Sequence, residues 1–245
     1  MDPIHQFNIQ KIFTIGHIGN TEIAFTNSSA YMLVAVAIVA LLMLATSTNL
    51  VPGRLQSVAE ISYEFVANTI RSTAGKEGMK FFPLIFSLFM FVAVSNLVGI
   101  IPYTFTVSSH IIITAALAIL VIATVLLYGF ARHGIGFLKL FVPSGVPLWL
   151  LPILVPIEII SFVSRPVSLS VRLFANMLAG HIALKIFAGF VATLLAAGVW
   201  KVLSPLPLAL TTALTALELL VAFLQAYVFA VLTCVYLSDA VHGAH

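Results

Sequence analysis

The chain has 245 residues, 61% of them hydrophobic and 8% charged, with a formal net charge of +3. Soluble domains carry about 25% charged residues, so a composition this apolar excludes a charged, water-facing surface and implies one continuous membrane unit. The small net charge gives no footing for nucleic acid, and a single cysteine, Cys234, excludes an internal disulfide.

Residues 1–28 are mixed and polar, with Asp2, Lys11 and Glu22, and read as an extramembrane segment. They hold no basic stretch followed by an apolar core, so no cleaved signal peptide is expected. Residues 29–50 carry no charge. As a helix they extend about 33 Å, enough to cross a bilayer core. Asn27, Ser28 or Ser29 suits the cap, and Pro52-Gly53 breaks the run.

The stretch 54–74 differs. Leu55, Val58, Ile61, Phe65 and Ile70 recur near helical spacing, while Arg54, Glu60, Glu64, Asn68 and Arg71 fall largely elsewhere. This pattern predicts an amphipathic helix along the membrane interface, the alternative being a helix packed on protein. Spans are expected at 81–102, interrupted by Ser95, Asn96 and Gly99, and at 110–131. A loop rich in glycine and proline, Arg132–Pro147, follows.

Two long segments close the chain, 148–200 and 205–238. As straight helices they would extend about 80 Å and about 50 Å, more than a perpendicular crossing needs. The first must be tilted, bent, broken or folded into a hairpin, with Pro152, Pro156 and Pro166 as candidate bends. The fold class expected is an all-α membrane protein. It has about five membrane-embedded helices, one interfacial helix, and two long tilted helices forming an antiparallel hairpin. Under this topology Arg54, Arg71, Lys76, Lys80, Arg132 and Lys139 share one side, and Lys11 and Lys201 the other. The excess of basic residues puts the amino terminus outside and the carboxyl terminus in the cytoplasm or matrix.

Glu158, Arg165, Arg172, His181, Lys185 and Glu218 interrupt the apolar stretches, and Asp239 ends the last one. A charge at a helix centre costs roughly 2.5–3.5 kcal/mol even on the lenient insertion scale, so these groups must face protein or a wet cavity. Glu158, Arg165 and Arg172 are spaced by seven residues, and Asn176 lies four beyond Arg172. Seven residues fall about 20° short of two turns, so a helix that continues through Pro166 puts the three charges on one stripe. On the last helix, Gln225 lies seven residues after Glu218 and fourteen before Asp239. Laying the helices antiparallel, with Gln225 beside Arg172, puts Glu218 near His181 and Asp239 near Glu158. Two titratable clusters then flank one arginine. Each residue also has a plainer reading. Arg165 anchors a helix or pairs with Glu158, Lys185 reaches for an interface, and Asn96 and Gln225 join helices by hydrogen bonds.

Arg172-Leu-Phe-Ala-Asn-Met-Leu-Ala-Gly-His181 resembles the signature of the a subunit of F-type ATP synthases. Pro166-Val-Ser-Leu-Ser-Val, Ser95-Asn-Leu-Val-Gly-Ile-Ile-Pro-Tyr and the final helix from Leu224 fit the same family, in the form shared by bacteria and mitochondria. The resemblance implies a non-catalytic stator subunit beside a rotating ring of c subunits, held by b-type peripheral stalk subunits in a bacterial inner membrane or the mitochondrial inner membrane. It implies an essential ring-facing charge at Arg172. It implies an outer proton half-channel at His181, Glu218, Asn176, Gln225 and Asn96, and an inner one at Glu158 and Asp239, with Ser168 nearby. No cofactor is implied beyond the translocated proton. The alternative is a stand-alone proton or cation channel or a transporter. The fixed charge of Arg172 argues against a simple cation pore, and the lack of an internal repeat argues against a transporter. No His-Glu-x-x-His motif supports an intramembrane metalloprotease.

Overall fold

A computed structural model describes residues 7–18, 21–44, 53–101, 104–142 and 147–242. The order is β1 (Lys11–Ile18), β2 (Thr21–Thr26), α1 (Asn27–Leu44), α2 (Arg54–Gly78), α3 (Phe82–Ile100), α4 (Ile111–His133), α5 (Leu151–Ala196) and α6 (Pro205–His242). Short 3-10 turns precede α3, α4 and α5, follow α4, and join α5 to α6. The protein is an all-α membrane protein. Five helical stretches among the described residues are long and apolar enough to cross a membrane. The expected span through residues 45–50, the break at Pro52, the end at Pro102 and the loop positions Pro143 and Gly145 lie outside the described residues.

The amino-terminal segment, read from sequence only as extramembrane, carries regular structure. β1 and β2 pair antiparallel, with Phe13 opposite Phe25 and His17 opposite Glu22. The Phe13 and Phe25 rings stack with centroids 5.0 Å apart, and Lys11 pairs with Glu22. That ammonium donates to the Glu22 carboxylate and holds its pKa below the ordinary carboxylate value. Asn27 then ties the segment to α1. Its Oδ1 accepts from the amides of Gln10 and Ser28, and its Nδ2 donates to the Asn8 carbonyl. Thr26 Oγ1 accepts from the Ser29 amide, satisfying one of the orphan donors of the helix start.

The chain divides into two compact units. The first comprises Met1–Leu41, Phe91–His110 and Leu173–Gln225, and the second Leu42–Met90, Ile111–Arg172 and Ala226–His245. Helices α3, α5 and α6 each contribute residues to both. In the second unit α2 buries Ala59, Val66, Ala67, Ile70 and Ala74 but leaves Leu55, Val58 and Ile61 more than half exposed. The helix therefore has a protein-packed side and a separate exposed apolar side. Phe65 joins it to Phe89 and Tyr227, with ring centroids 5.6 and 5.3 Å away. Val121 and Val125 from α4 and Phe229, Leu237 and Val241 from α6 are buried in the same unit.

The long fifth helix is one continuous element of 46 residues, with Pro156 and Pro166 inside it. Of the alternatives of tilt, bend, break or hairpin, neither a break nor a hairpin occurs within Leu151–Ala196. Pro152 sits in the first turn, where the missing N–H has no helical partner to lose. An interior proline forfeits one i to i−4 bond without forcing termination. The most apolar 18-residue window of α5 is only 6% buried. Most of this helix is therefore available to lipid or to another chain.

The core of the second unit gives a direct contrast. Phe229 is 1% exposed, whereas Leu220 on the same helix is 60% exposed. In detergent, thermal unfolding of Phe229→Ala is expected to show a loss of about 3–5 kcal/mol from cavity formation, and Leu220→Ala a change within roughly 0.5 kcal/mol.

Candidate functional site

In the first unit, α5 and α6 bring His181 and Glu218 together. Both are buried, and His181 Nδ1 lies 3.3 Å from Glu218 Oε1. The distance is that of an ion pair, but the alignment is not that of a hydrogen bond, and neither Glu218 oxygen has a hydrogen-bond partner among the described residues. The backbone permits this approach because position 180 is glycine. A Cβ there would meet Glu218 Oε1 at 2.9 Å.

The other side of the imidazole is held by a residue that sequence reading passed over. Thr106, fully buried, lies with Oγ1 3.0 Å from His181 Nε2. It belongs to the short turn between α3 and α4, and no periodicity marks it. Phe7 is a second unforeseen neighbour. Its ring centroid is 6.2 Å from that of His181, and Lys185 Nζ lies 5.5 Å from it. Lys185 thus contacts an aromatic face rather than simply reaching toward an interface. In the same turn, His110 stacks on Phe105 with ring centroids 4.9 Å apart.

Asn96 and Gln225 are also buried in this unit. Asn96 Nδ2 donates to the Ala222 carbonyl on α6 at 3.2 Å, while its Oδ1 has no partner among the described residues. Asn176 is exposed. The unit thus buries an imidazole, a carboxylic acid and two amides, and both Glu218 oxygens and Asn96 Oδ1 have no hydrogen-bond partner among the described residues. Such groups require water or a proton.

The second unit treats its charges differently. Arg165 donates to Asp239 Oδ2 at 2.8 Å, and its guanidinium lies 5.5 Å from the Phe162 ring centroid and 5.3 Å from that of Tyr236. The spacing argument set Asp239 beside Glu158 and allowed Arg165 to pair with Glu158. The structure instead gives Asp239 to Arg165, two turns further along the stripe. A carboxylate gains by meeting the cation rather than a second carboxylate. Glu158 is partly exposed, and Ser168 is exposed. Arg172, also exposed, makes no hydrogen bond or ion pair among the described residues. No group of three or more metal-ligating side chains occurs among the described residues.

The family profile described as ATP synthase A chain matches residues 29–238. Among curated proteins, the chain is 72% identical to the ATP synthase subunit a of Nitrobacter winogradskyi, with all of both chains covered. It is 73% identical to the protein of that name from Rhodopseudomonas palustris strain HaA2, and 73% to that from Bradyrhizobium diazoefficiens. Each of these two alignments covers all of this chain and 99% of the relative.

The Arg165–Asp239 pair is about one quarter and one third exposed on its two sides. A double-mutant cycle of Arg165→Gln and Asp239→Asn, read by thermal unfolding in detergent, is expected to give a coupling of roughly 1 kcal/mol. Strict additivity would mean that the pair contributes nothing to stability.

Proposed function

The chain belongs to the ATP synthase A chain family, and from that premise we propose that it is the non-catalytic, proton-conducting stator subunit of the rotary complex. The observation that carries this reading is Arg172. It is exposed on a membrane-length helix and has no hydrogen bond or ion pair among the described residues. A guanidinium in protein keeps its charge, and lipid rejects that charge. Its counter-charge must come from another chain. A ring of c subunits, each with one membrane-buried carboxylate, fits that demand, with b-type subunits bracing the stator.

Arg172 then draws each passing carboxyl into its ionised form and separates two half-channels. His181, Glu218, Asn96, Gln225 and Asn176 serve the outer one. Glu158, Asp239 and Ser168 serve the inner one, with Arg165 holding Asp239. A neutral carboxyl can turn into lipid and an ionised one is strongly disfavoured there, so net proton passage turns the ring. A drop of 100 mV contributes about 2.3 kcal/mol per charge. The proton is the transported species, and no cofactor takes part. The basic residues on one side support an outer amino terminus and a cytoplasmic carboxyl terminus. The bacterial relatives support the inner membrane of a bacterium.

Membranes carrying the whole complex test the two roles separately. Arg172→Ala is expected to abolish ATP-driven proton pumping while leaving or raising the passive leak once the soluble sector is stripped. Arg172→Lys should be a poor replacement, because a buried lysine gives up its proton readily. Normal coupled pumping in Arg172→Ala would sink the stator reading. Glu218→Gln should assemble and slow proton passage on the order of a hundredfold, the usual scale for a lost acid–base group; unchanged flux would remove Glu218 from the path.

A further inference from the structure

We infer that Thr106 is a positioning residue that fixes the tautomer of His181, so that Nδ1 is the nitrogen that exchanges a proton with Glu218. The inference rests on the reading of His181 and Glu218 as an outer proton path. Thr106 Oγ1 makes two polar contacts of interest, 3.0 Å to His181 Nε2 and 3.4 Å to the Gly99 carbonyl oxygen. A hydroxyl has one proton, and a carbonyl can only accept. With the threonine proton on the Gly99 side, Oγ1 offers a lone pair to Nε2. Nε2 is then the N–H of the neutral ring, because neutral imidazole carries one proton. Nδ1 is left with its lone pair, 3.3 Å from Glu218 Oε1.

The exchange balances with these atoms alone. The O–H bond of a protonated Glu218 breaks and an N–H bond forms at Nδ1, leaving a carboxylate beside an imidazolium. The reverse step restores the neutral pair. Nε2 keeps its proton throughout, so the ring need not turn. A second observation bears on the same contact. A Cβ at position 99 would meet Thr106 Cγ2 at 2.7 Å and Oγ1 at 3.1 Å. Only a glycine there lets the threonine hydroxyl reach the backbone of α3. The charged groups around His181 are Glu218 from α6 and Lys185 from α5 itself. The amino-terminal segment brings the uncharged Phe7, and the 104–110 segment brings Thr106 while His110 stacks on Phe105.

The test uses the whole complex in membranes, unaltered and with Thr106→Val, Thr106→Ser or His181→Gln. 15N NMR of the histidine-labelled complex, with His181→Gln identifying the resonance, reads the tautomer at about pH 8.5, above the ordinary imidazole pKa. The expected result is a neutral Nε2–H ring. Thr106→Val should cut ATP-driven proton pumping roughly three- to tenfold, the range one net hydrogen bond controls, and displace its pH profile, while Thr106→Ser restores both. An Nδ1–H ring in the unaltered complex overturns the inference, as does an unchanged rate and profile in an assembled Thr106→Val complex. If Thr106→Val fails to assemble, the spectrum of the unaltered complex decides alone. Normal pumping by His181→Gln would instead remove the outer-path reading itself, whereas a required His181 with the opposite tautomer removes only the role of Thr106.

Discussion

A guanidinium can neither shed its proton nor rest in hydrocarbon, and α5 carries two of them seven residues apart. The fold answers the two in opposite ways. Arg165 is clasped by a carboxylate and two aromatic rings from its own chain. Arg172 is exposed and has no such clasp among the described residues. The first arginine is paired by the fold itself; for the second, the proposed role calls for a counter-charge from another chain.

The buried polar group of the first unit follows a different logic. Here no fixed charge is set against a fixed counter-charge. An imidazole and a carboxylic acid, each able to exist neutral, are packed within 3.3 Å of one another. A threonine from the turn between α3 and α4 closes on the imidazole without bringing any charge. Low-dielectric surroundings make a half-satisfied polar cluster costly. A cluster kept in spite of that cost is best understood by what protons can do there.

Much of this was legible in the sequence because lipid imposes such a severe filter. The long helices follow from uninterrupted apolarity, and His181 and Glu218 were brought together by residue spacing alone. Helical spacing locates a stripe but is blind to the sign of the charges on it, so it did not single out Arg165 as the partner of Asp239. For the amino-terminal strand pair, Gly19-Asn20 between two runs rich in β-branched and aromatic residues is the turn signal in the sequence. In α5 the prolines stand in the first turn or cost one bond each, and the helix continues through them. Thr106 left no local trace. Its partner lies 75 residues away along the chain, and a contact of that kind is settled only by tertiary packing.

The glycine at 180 couples two positions on different helices. A Cβ there enters the space of Glu218 Oε1, the far end of a flexible side chain. A larger residue would therefore be met by a shift of the carboxyl, and its cost would fall on the distance from acid to imidazole rather than on the crossing of the helices.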